Sequence, residues 1–174
     1  YKRQDLDNDG YDEIFLNNIG EPNKLFRILE NGLIKQIPLD IGLEPDGYGT
    51  GAAVADIDND GILELLVSHG ESRDQALSLY KAKVNPQHKY LRIKPLNKYG
   101  APARGATVTL ISNLRKHSKT IDSGSGYLCQ MEPVAHYGIR KNENNIKIEI
   151  KWTNGKTKII SVKKLNQTMT LKQK

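Results

Sequence analysis

The chain has 174 residues, of which 37% are hydrophobic and 6% aromatic, and its formal net charge is +6. No run of apolar residues approaches the roughly 18 that a membrane-spanning helix needs, so we expect no membrane insertion. The 15 glycines and 7 prolines are spread along the chain, which favours a turn-rich globular β protein over a disordered one.

The two halves of the chain differ in charge. Residues 1–87 contain 8 Lys/Arg and 16 Asp/Glu, whereas residues 88–174 contain 18 Lys/Arg and 4 Asp/Glu. This reversal predicts a boundary near Asn85-Pro86 and two domains, 1–87 and 88–174. The basic half is either a lysine-rich solvent-exposed face or a patch for an anionic partner such as a sulfated glycan. We expect no nucleic-acid partner.

The first predicted element is an acidic loop that occurs twice. The pattern D-x-D-N-D-G-x-x-E spans residues 5–13 (loop 1) and residues 56–64 (loop 2), an offset of 51 residues. A repeat of about 50 residues is typical of one blade of a β-propeller. The sequence therefore predicts propeller blades in the first domain.

The spacing of the acidic residues predicts two calcium sites. Three carboxylates at alternate positions, followed by a glycine, can wrap around a hard cation that takes six to eight oxygen ligands. Magnesium fits less well because it prefers a small octahedral shell and keeps several waters. Gly10 and Gly61 stand where the chain must turn sharply. The predicted ligands are the side chains of Asp5, Asp7, Asp9 and Glu13 with the carbonyl of Tyr11, and those of Asp56, Asp58, Asp60 and Glu64 with the carbonyl of Ile62.

The alternative of an EF-hand is not favoured. An EF-hand needs a bidentate glutamate at loop position twelve and a helix after the loop, but Leu16 and Val67 stand at that position. Short apolar runs follow both loops, at residues 13–16 and 64–67, and these predict strands. The remaining alternative is a pair of acidic turns that bind no metal.

Calcium loops of this kind point to an extracellular setting. Extracellular modules bind calcium at about 10⁻⁴–10⁻³ M, so millimolar calcium would stabilise the fold by roughly 1–1.5 kcal/mol per site. The same sites would be empty in the cytosol. We expect a secreted protein, of which this chain is a fragment because it begins Tyr1-Lys2-Arg3 without a signal peptide.

The second domain is predicted to be rich in β-strands. Residues 90–94 and 106–111 have high β-propensity, and Ile146, Ile148, Ile150 and Trp152 alternate with charged residues. Asn154-Gly155 predicts a tight hairpin turn into a strand at residues 158–162. Strands of this length favour a sandwich or a small barrel. We therefore expect an all-β fold for the whole chain.

Few other residues suggest chemistry. The four histidines have no metal-ligand spacing, so we predict that the chain is not an enzyme. Cys129 is the only cysteine, and it is either a buried free thiol or the partner of a cysteine elsewhere in a longer protein. Asn166-Gln167-Thr168 is an N-glycosylation acceptor if the chain is secreted.

Several segments together resemble a known family. The loops, with the lead-in at residues 51–55, resemble FG-GAP (VCBS) repeats, which build integrin-α-type β-propellers. Further segments resemble the cartilage acidic protein family, and the last of them is typical of an ASPIC/UnbV domain: Asp9-Gly10-Tyr11-Asp12-Glu13-Ile14-Phe15, Leu43-Glu44-Pro45, Ser68-His69-Gly70-Glu71-Ser72, Ala103-Arg104-Gly105-Ala106, and residues 123–129 with 131–136.

The resemblance implies a partial integrin-α-like propeller followed by a β-sandwich-like ASPIC/UnbV domain. It also implies a secreted, calcium-binding adhesion module that acts through an extracellular protein or receptor partner. Two alternatives stay open: the chain is an ancillary C-terminal region of a larger secreted enzyme, or it binds glycosaminoglycans through its basic half. The chain is basic where the family name says acidic, which leaves its partner open.

Overall fold

The computed structural model describes residues 2–38, 49–70, 76–122, 124 and 126–174. Every regular element in these ranges is a β-strand, which confirms the predicted all-β fold. The family-like segment at residues 43–45 and the residues Glu71, Ser72, Ser123 and Ser125 lie outside the described part of the chain. Among the described residues there is no helix of the length and apolarity that crossing a membrane requires.

The chain divides into two compact units. The first comprises Tyr1–Asp7, Tyr11–Val84 and Gly124–Met131, and the second comprises Asn8–Gly10, Asn85–Ser123 and Glu132–Lys174. Each unit contains one four-stranded and one three-stranded sheet.

The first unit holds two antiparallel sheets, with strand orders β1-β2-β3-β4 and β5-β6-β7. The strands are β1 (Lys2–Gln4), β2 (Glu13–Leu16), β3 (Lys24–Ile28), β4 (Ile34–Ile37), β5 (Gly49–Ala55), β6 (Glu64–His69) and β7 (Ser78–Lys81). Loop 1 connects β1 to β2, and loop 2 connects β5 to β6. The strands predicted after the two loops are therefore present, and an EF-hand helix is not.

The apolar core of the first unit lies next to the loops. It consists of buried residues from β2, β5, β6 and the end of loop 2, namely Phe15, Ala52, Val54, Leu63, Leu65 and Val67. Because β-strand side chains alternate between faces, burial of Leu65 and Val67 fixes the register of β6 and hence the position of Glu64 at its start. The only cysteine, Cys129, is half-buried and free, and it lies close to Gly51 on β5.

The second unit holds sheets with strand orders β10-β9-β12-β13 and β11-β8-β14. The strands are β8 (Lys89–Leu96), β9 (Thr107–Ile111), β10 (Lys116–Thr120), β11 (Ala135–Ile139), β12 (Lys147–Lys151), β13 (Thr157–Ser161) and β14 (Gln167–Lys172). Both sheets contribute to one apolar core, in which Leu91, Ile93, Val108, Leu110, Ile148 and Ile150 are fully buried. This is a sandwich of two sheets.

Local sequence signals explain much of this second unit. Ile148 and Ile150 are buried while Lys147 and Lys151 are exposed, as their alternation predicts. The hairpin turn at Asn154-Gly155 joins β12 to β13. Across this turn, the backbone N–H of Trp152 donates to the Lys156 carbonyl at 2.9 Å. The pairing of β14 with β8 is parallel and was not predicted.

Candidate metal sites

Loops 1 and 2 share one backbone conformation. Asn8 and Asn59, at the fourth position, both have φ of 61°, and Gly10 and Gly61, at the sixth, have φ of 86° and 85°. These values lie in the left-handed region, which glycine adopts freely and asparagine tolerates. The repeated sequence pattern therefore specifies the same turn twice.

The two loops also hold their last residue in the same way. The Leu6 N–H donates to Glu13 Oε2 at 2.9 Å, and the Ile57 N–H donates to Glu64 Oε2 at 2.8 Å. Both glutamates are buried. In each loop, Oε2 is therefore held by the backbone near the start of the loop, which brings the ninth position back toward the first.

This closure gathers three carboxylates in each loop. Asp5, Asp7 and Glu13 offer oxygens that lie within 4.8 Å of one another, and so do Asp56, Asp58 and Glu64. Crowded like charges disfavour ionisation, and a nearby cation relieves this effect. Carboxylate oxygens at this spacing are the donor set that calcium prefers, so the residues present fit the ion.

Burial also affects the ionisation of Glu13 in loop 1. Burial and, to a smaller extent, the neighbouring charge of Asp7 raise the pKa of Glu13 to about 8. The hydrogen bonds that Glu13 accepts from Leu6 and Arg27 act in the opposite direction but do not offset these effects. Without a bound cation, the ionised form of Glu13 is therefore disfavoured.

A basic side chain reaches into each carboxylate group from the neighbouring strand. Arg27 on β3 lies opposite Glu13 in the sheet register. Its Nε donates to Glu13 Oε1 at 3.0 Å, and its Nη2 contacts Asp7. Arg27 is therefore an ion-pair partner of two predicted ligands.

Lys81 on β7 has the equivalent position in loop 2, opposite Glu64. Its Nζ lies 2.6 Å from Asp58 Oδ2, 2.7 Å from Asp60 Oδ2 and 2.6 Å from Glu64 Oε1. Burial lowers the pKa of Lys81, but its hydrogen bonds to the three carboxylates outweigh burial and hold the pKa well above its ordinary value. The same contact holds the pKa of Asp58 below its usual range.

The structure brings together six of the predicted side-chain ligands, three in each loop. Asp9 and Asp60 lie outside these two groups. Asp60 instead pairs with Lys81 and accepts the Ile62 N–H at 2.8 Å. The contributions of the Tyr11 and Ile62 carbonyls stay predictions.

Sequence reasoning missed Arg27 and Lys81. Each repeat does carry a basic residue on its third strand, but Arg27 follows Glu13 by 14 residues and Lys81 follows Glu64 by 17. The different lengths of the connections hide the equivalence, which only the cross-strand register makes visible. Both residues line one cleft of about 320 Å³, together with Asp7 and Glu13.

Two family profiles match the chain. One, described as an FG-GAP-like repeat, matches residues 5–67 and so covers both loops. The other, described as ASPIC and UnbV, matches residues 97–174. The order of the two matches is the order inferred from the sequence motifs.

Curated relatives extend over most of the chain. Cartilage acidic protein 1 of Homo sapiens is 45% identical over 161 residues, which cover 87% of this chain and 24% of that protein. The protein of the same name from Xenopus tropicalis is 41% identical over 178 residues, covering 96% of this chain and 27% of its own length. The chain thus spans about a quarter of these relatives. The matches confirm its resemblance to the cartilage acidic protein family, with FG-GAP-like repeats followed by an ASPIC and UnbV domain.

Proposed function

We propose that the chain is a non-catalytic, calcium-binding interaction module of an extracellular protein. One observation carries the proposal: two loops 51 residues apart have the same left-handed turns and the same glutamate–backbone bond, and each gathers three carboxylates. A single acidic turn is common without a metal. Repetition of the whole arrangement favours a shared role in binding an ion.

Calcium is the ion that the arrangement favours. The predicted set in each loop is made of oxygen donors, and calcium accepts six to eight of them in flexible geometry at 2.3–2.6 Å. The match to an FG-GAP-like repeat supports the same assignment. The residues of the loops would bind and orient the ion, which in turn would offset the repulsion among their carboxylates and hold β1 to β2 and β5 to β6.

The expected affinity supports an extracellular location. Sites of extracellular modules bind at about 10⁻⁴–10⁻³ M, so they fill at millimolar calcium and are empty at cytosolic concentrations. The similarity to proteins named cartilage acidic protein 1 agrees with this setting, and that name describes no enzymatic activity. The partner in this proposal is an extracellular protein or receptor.

Calorimetric titration of the chain with calcium, and separately with magnesium, tests the proposal. We expect saturable calcium binding and at least tenfold weaker magnesium binding, because magnesium demands a tighter octahedral shell. Equal affinity for the two ions, or no binding of calcium at millimolar concentration, would contradict it. To test the alternative of an ancillary region in a larger secreted enzyme, the full-length protein can be examined for a catalytic domain.

A second candidate function is binding of a sulfated glycan by the second unit. Two of the four acidic residues in this half are already used in ion pairs, Glu132 with Arg92 and Glu143 with Arg115. Most lysines of the unit are exposed. The positive charge of this half is therefore largely uncompensated.

Three of these lysines share one sheet face. Lys116 on β10 and Lys147 on β12 both lie opposite Ile111, and Lys151 follows Lys147 by four residues on the same strand. Ile148 and Ile150 point into the core, so the lysines point away from it. On this face Glu149 lies between Lys147 and Lys151 on β12, and serine and threonine side chains lie on the strands around them, namely Thr107, Thr109, Ser118, Thr120, Thr157 and Ser161. Ammonium and hydroxyl groups together can bind sulfate groups.

Retention on a heparin column tests this second candidate. Replacing Lys116, Lys147 and Lys151 by glutamine should lower the salt concentration needed for elution, because exposed charges act over a screened distance of about 8–10 Å. The matched control replaces three exposed lysines elsewhere in the unit, Lys94, Lys163 and Lys172. Equal losses in both triple variants would indicate attraction by net charge alone and would remove the sheet face as a site.

A further inference from the structure

The two loops are each entered by a basic side chain at one equivalent position. Arg27 lies opposite Glu13, and Lys81 lies opposite Glu64, in antiparallel pairs of the same register. In both loops the contact is made to Oε1 of the glutamate, whereas Oε2 is held by the backbone. Because the same contact to the glutamate recurs in both repeats, we interpret the basic residue as a regular part of each loop's surroundings and not as an incidental surface ion pair.

We propose that Lys81 is a tethered competitor of the calcium ion in loop 2: its ammonium group occupies the carboxylate cluster when the metal is absent and leaves it when calcium binds. The inference rests on the proposed calcium binding and adds a residue that sets the affinity of one site. Lys81 belongs to neither repeat motif, and no pattern in the sequence singles it out.

The geometry of the ammonium group carries the argument. Lys81 Nζ lies 2.6–2.7 Å from oxygens of three predicted ligands, Asp58, Asp60 and Glu64. Calcium coordinates oxygen at 2.3–2.6 Å. A calcium ion bound to the same three oxygens would stand where the ammonium group now stands, and two cations cannot share that space. Binding at loop 2 therefore requires Lys81 to move away.

Lys81 is suited to moving. Its side chain is a flexible four-carbon stem that ends in a compact charge, and about a third of it is exposed. Asp58 and Asp60 are also largely open to solvent. The ammonium group can thus swing into water without unfolding β7, and its release is the step that calcium must drive.

Arg27 is expected to compete less. It contacts two of the predicted ligands of loop 1, Asp7 and Glu13, whereas Lys81 contacts three in loop 2. Its charge is also spread over a planar group that binds oxygens from one side. Loop 1 should consequently bind calcium more tightly than loop 2.

The test replaces Lys81 by methionine, which has a similar length and no charge. The titration uses the whole chain with Asp5→Asn and Asp7→Asn added, so that loop 2 is measured alone. We expect Lys81→Met to bind calcium about tenfold more tightly, because one unit of positive charge is removed from beside the ion. Lys81→Arg keeps the charge and should stay within about threefold of the parent.

The matched control is Lys83→Met, which removes the same charge from an exposed lysine two residues further on. A second readout needs no bound metal. With a chelator present, Lys81→Met should melt below the parent, because the three carboxylates lose their counter-charge, and saturating calcium should remove this difference. Lys83→Met should change neither the affinity nor the melting temperature appreciably.

The possible outcomes separate this inference from the proposed function. If calcium binds to loop 2 but Lys81→Met titrates like Lys83→Met, or more weakly than the parent, Lys81 is not a competitor and the inference is overturned. If calcium binds to no variant at millimolar concentration, the proposed function itself fails. Tighter binding in Lys81→Met together with its calcium-dependent melting difference supports the inference.

Discussion

Loops 1 and 2 have nearly the same sequence and the same backbone, yet their surroundings differ. In loop 1, Asp5 and Glu13 are buried and Asp7 is half-buried, and the counter-charge comes from an arginine. In loop 2, Asp56 and Glu64 are also buried, but Asp58 and Asp60 are exposed, and the counter-charge comes from a lysine that touches three carboxylates. The motif thus specifies the fold of a loop, whereas residues outside the motif set its electrostatics.

The difference in burial follows from the position of each repeat. Phe15 and Leu66 are equivalent residues 51 positions apart. Phe15 packs in a core with residues of the second sheet and is 1% exposed, whereas Leu66 is 37% exposed. The second sheet therefore covers the Phe15 position of the first repeat, whereas the equivalent position of the second repeat is partly open to solvent.

Substitution of these two equivalent residues should give the largest difference in the free energy of unfolding. Phe15→Ala should lower the free energy of unfolding by about 3–5 kcal/mol, since it leaves a cavity in a closed core. Leu66→Ala is the matched control and should cost less, about 1–2 kcal/mol, because Leu66 is 37% exposed and its truncation leaves no closed cavity. Urea unfolding followed by circular dichroism measures both. Equal losses would mean that Leu66 is packed as closely as Phe15.

Substitutions in the left-handed turn that the two loops share should lower the stability by a smaller amount. Gly61→Ala should cost about 1–2 kcal/mol, because φ of 85° forces the added Cβ toward the following carbonyl. Asn59→Gly, two residues earlier at φ of 61°, should stay within about 0.5 kcal/mol, since glycine adopts this conformation freely. Thermal unfolding of both variants checks the assignment, and a neutral Gly61→Ala would refute the need for glycine.

Sequence reasoning reached the parts of the fold that local signals determine. The strand after each loop, the alternation of Ile148 and Ile150, and the turn at Asn154-Gly155 follow from residues close together in the chain. The parallel pairing of β14 with β8 joins Thr168 to Arg92, residues 76 positions apart, and no local signal encodes it.

The candidate metal sites likewise contain residues that the sequence predicts and residues that it does not. The carboxylates of Asp5, Asp7 and Glu13 are brought together by a short motif, so their spacing predicts their proximity. The basic partners come from another strand through a connection of variable length, and their role depends on register. Ion-pair partners on a neighbouring strand are therefore the part of such a site that the sequence alone does not predict.

The smallest expected effects are the losses of calcium-dependent stability when the ligands of one loop are removed. Asp5→Asn with Asp7→Asn should remove the stabilisation that calcium gives through loop 1, and Asp56→Asn with Asp58→Asn the stabilisation through loop 2. Each loss should be roughly 1–1.5 kcal/mol at millimolar calcium. Melting temperatures measured with calcium and with chelator give the difference. If each pair of substitutions left the calcium-dependent shift intact, the carboxylates would not be ligands.

Equilibrium dialysis of the chain against millimolar calcium, with bound metal counted by atomic emission, tests the central claim most directly. We expect about two calcium ions per chain at saturation, reduced to about one in either pair of aspartate-to-asparagine variants. Retention of no calcium above the dialysis buffer, or an uptake that the loop variants do not change, would contradict it.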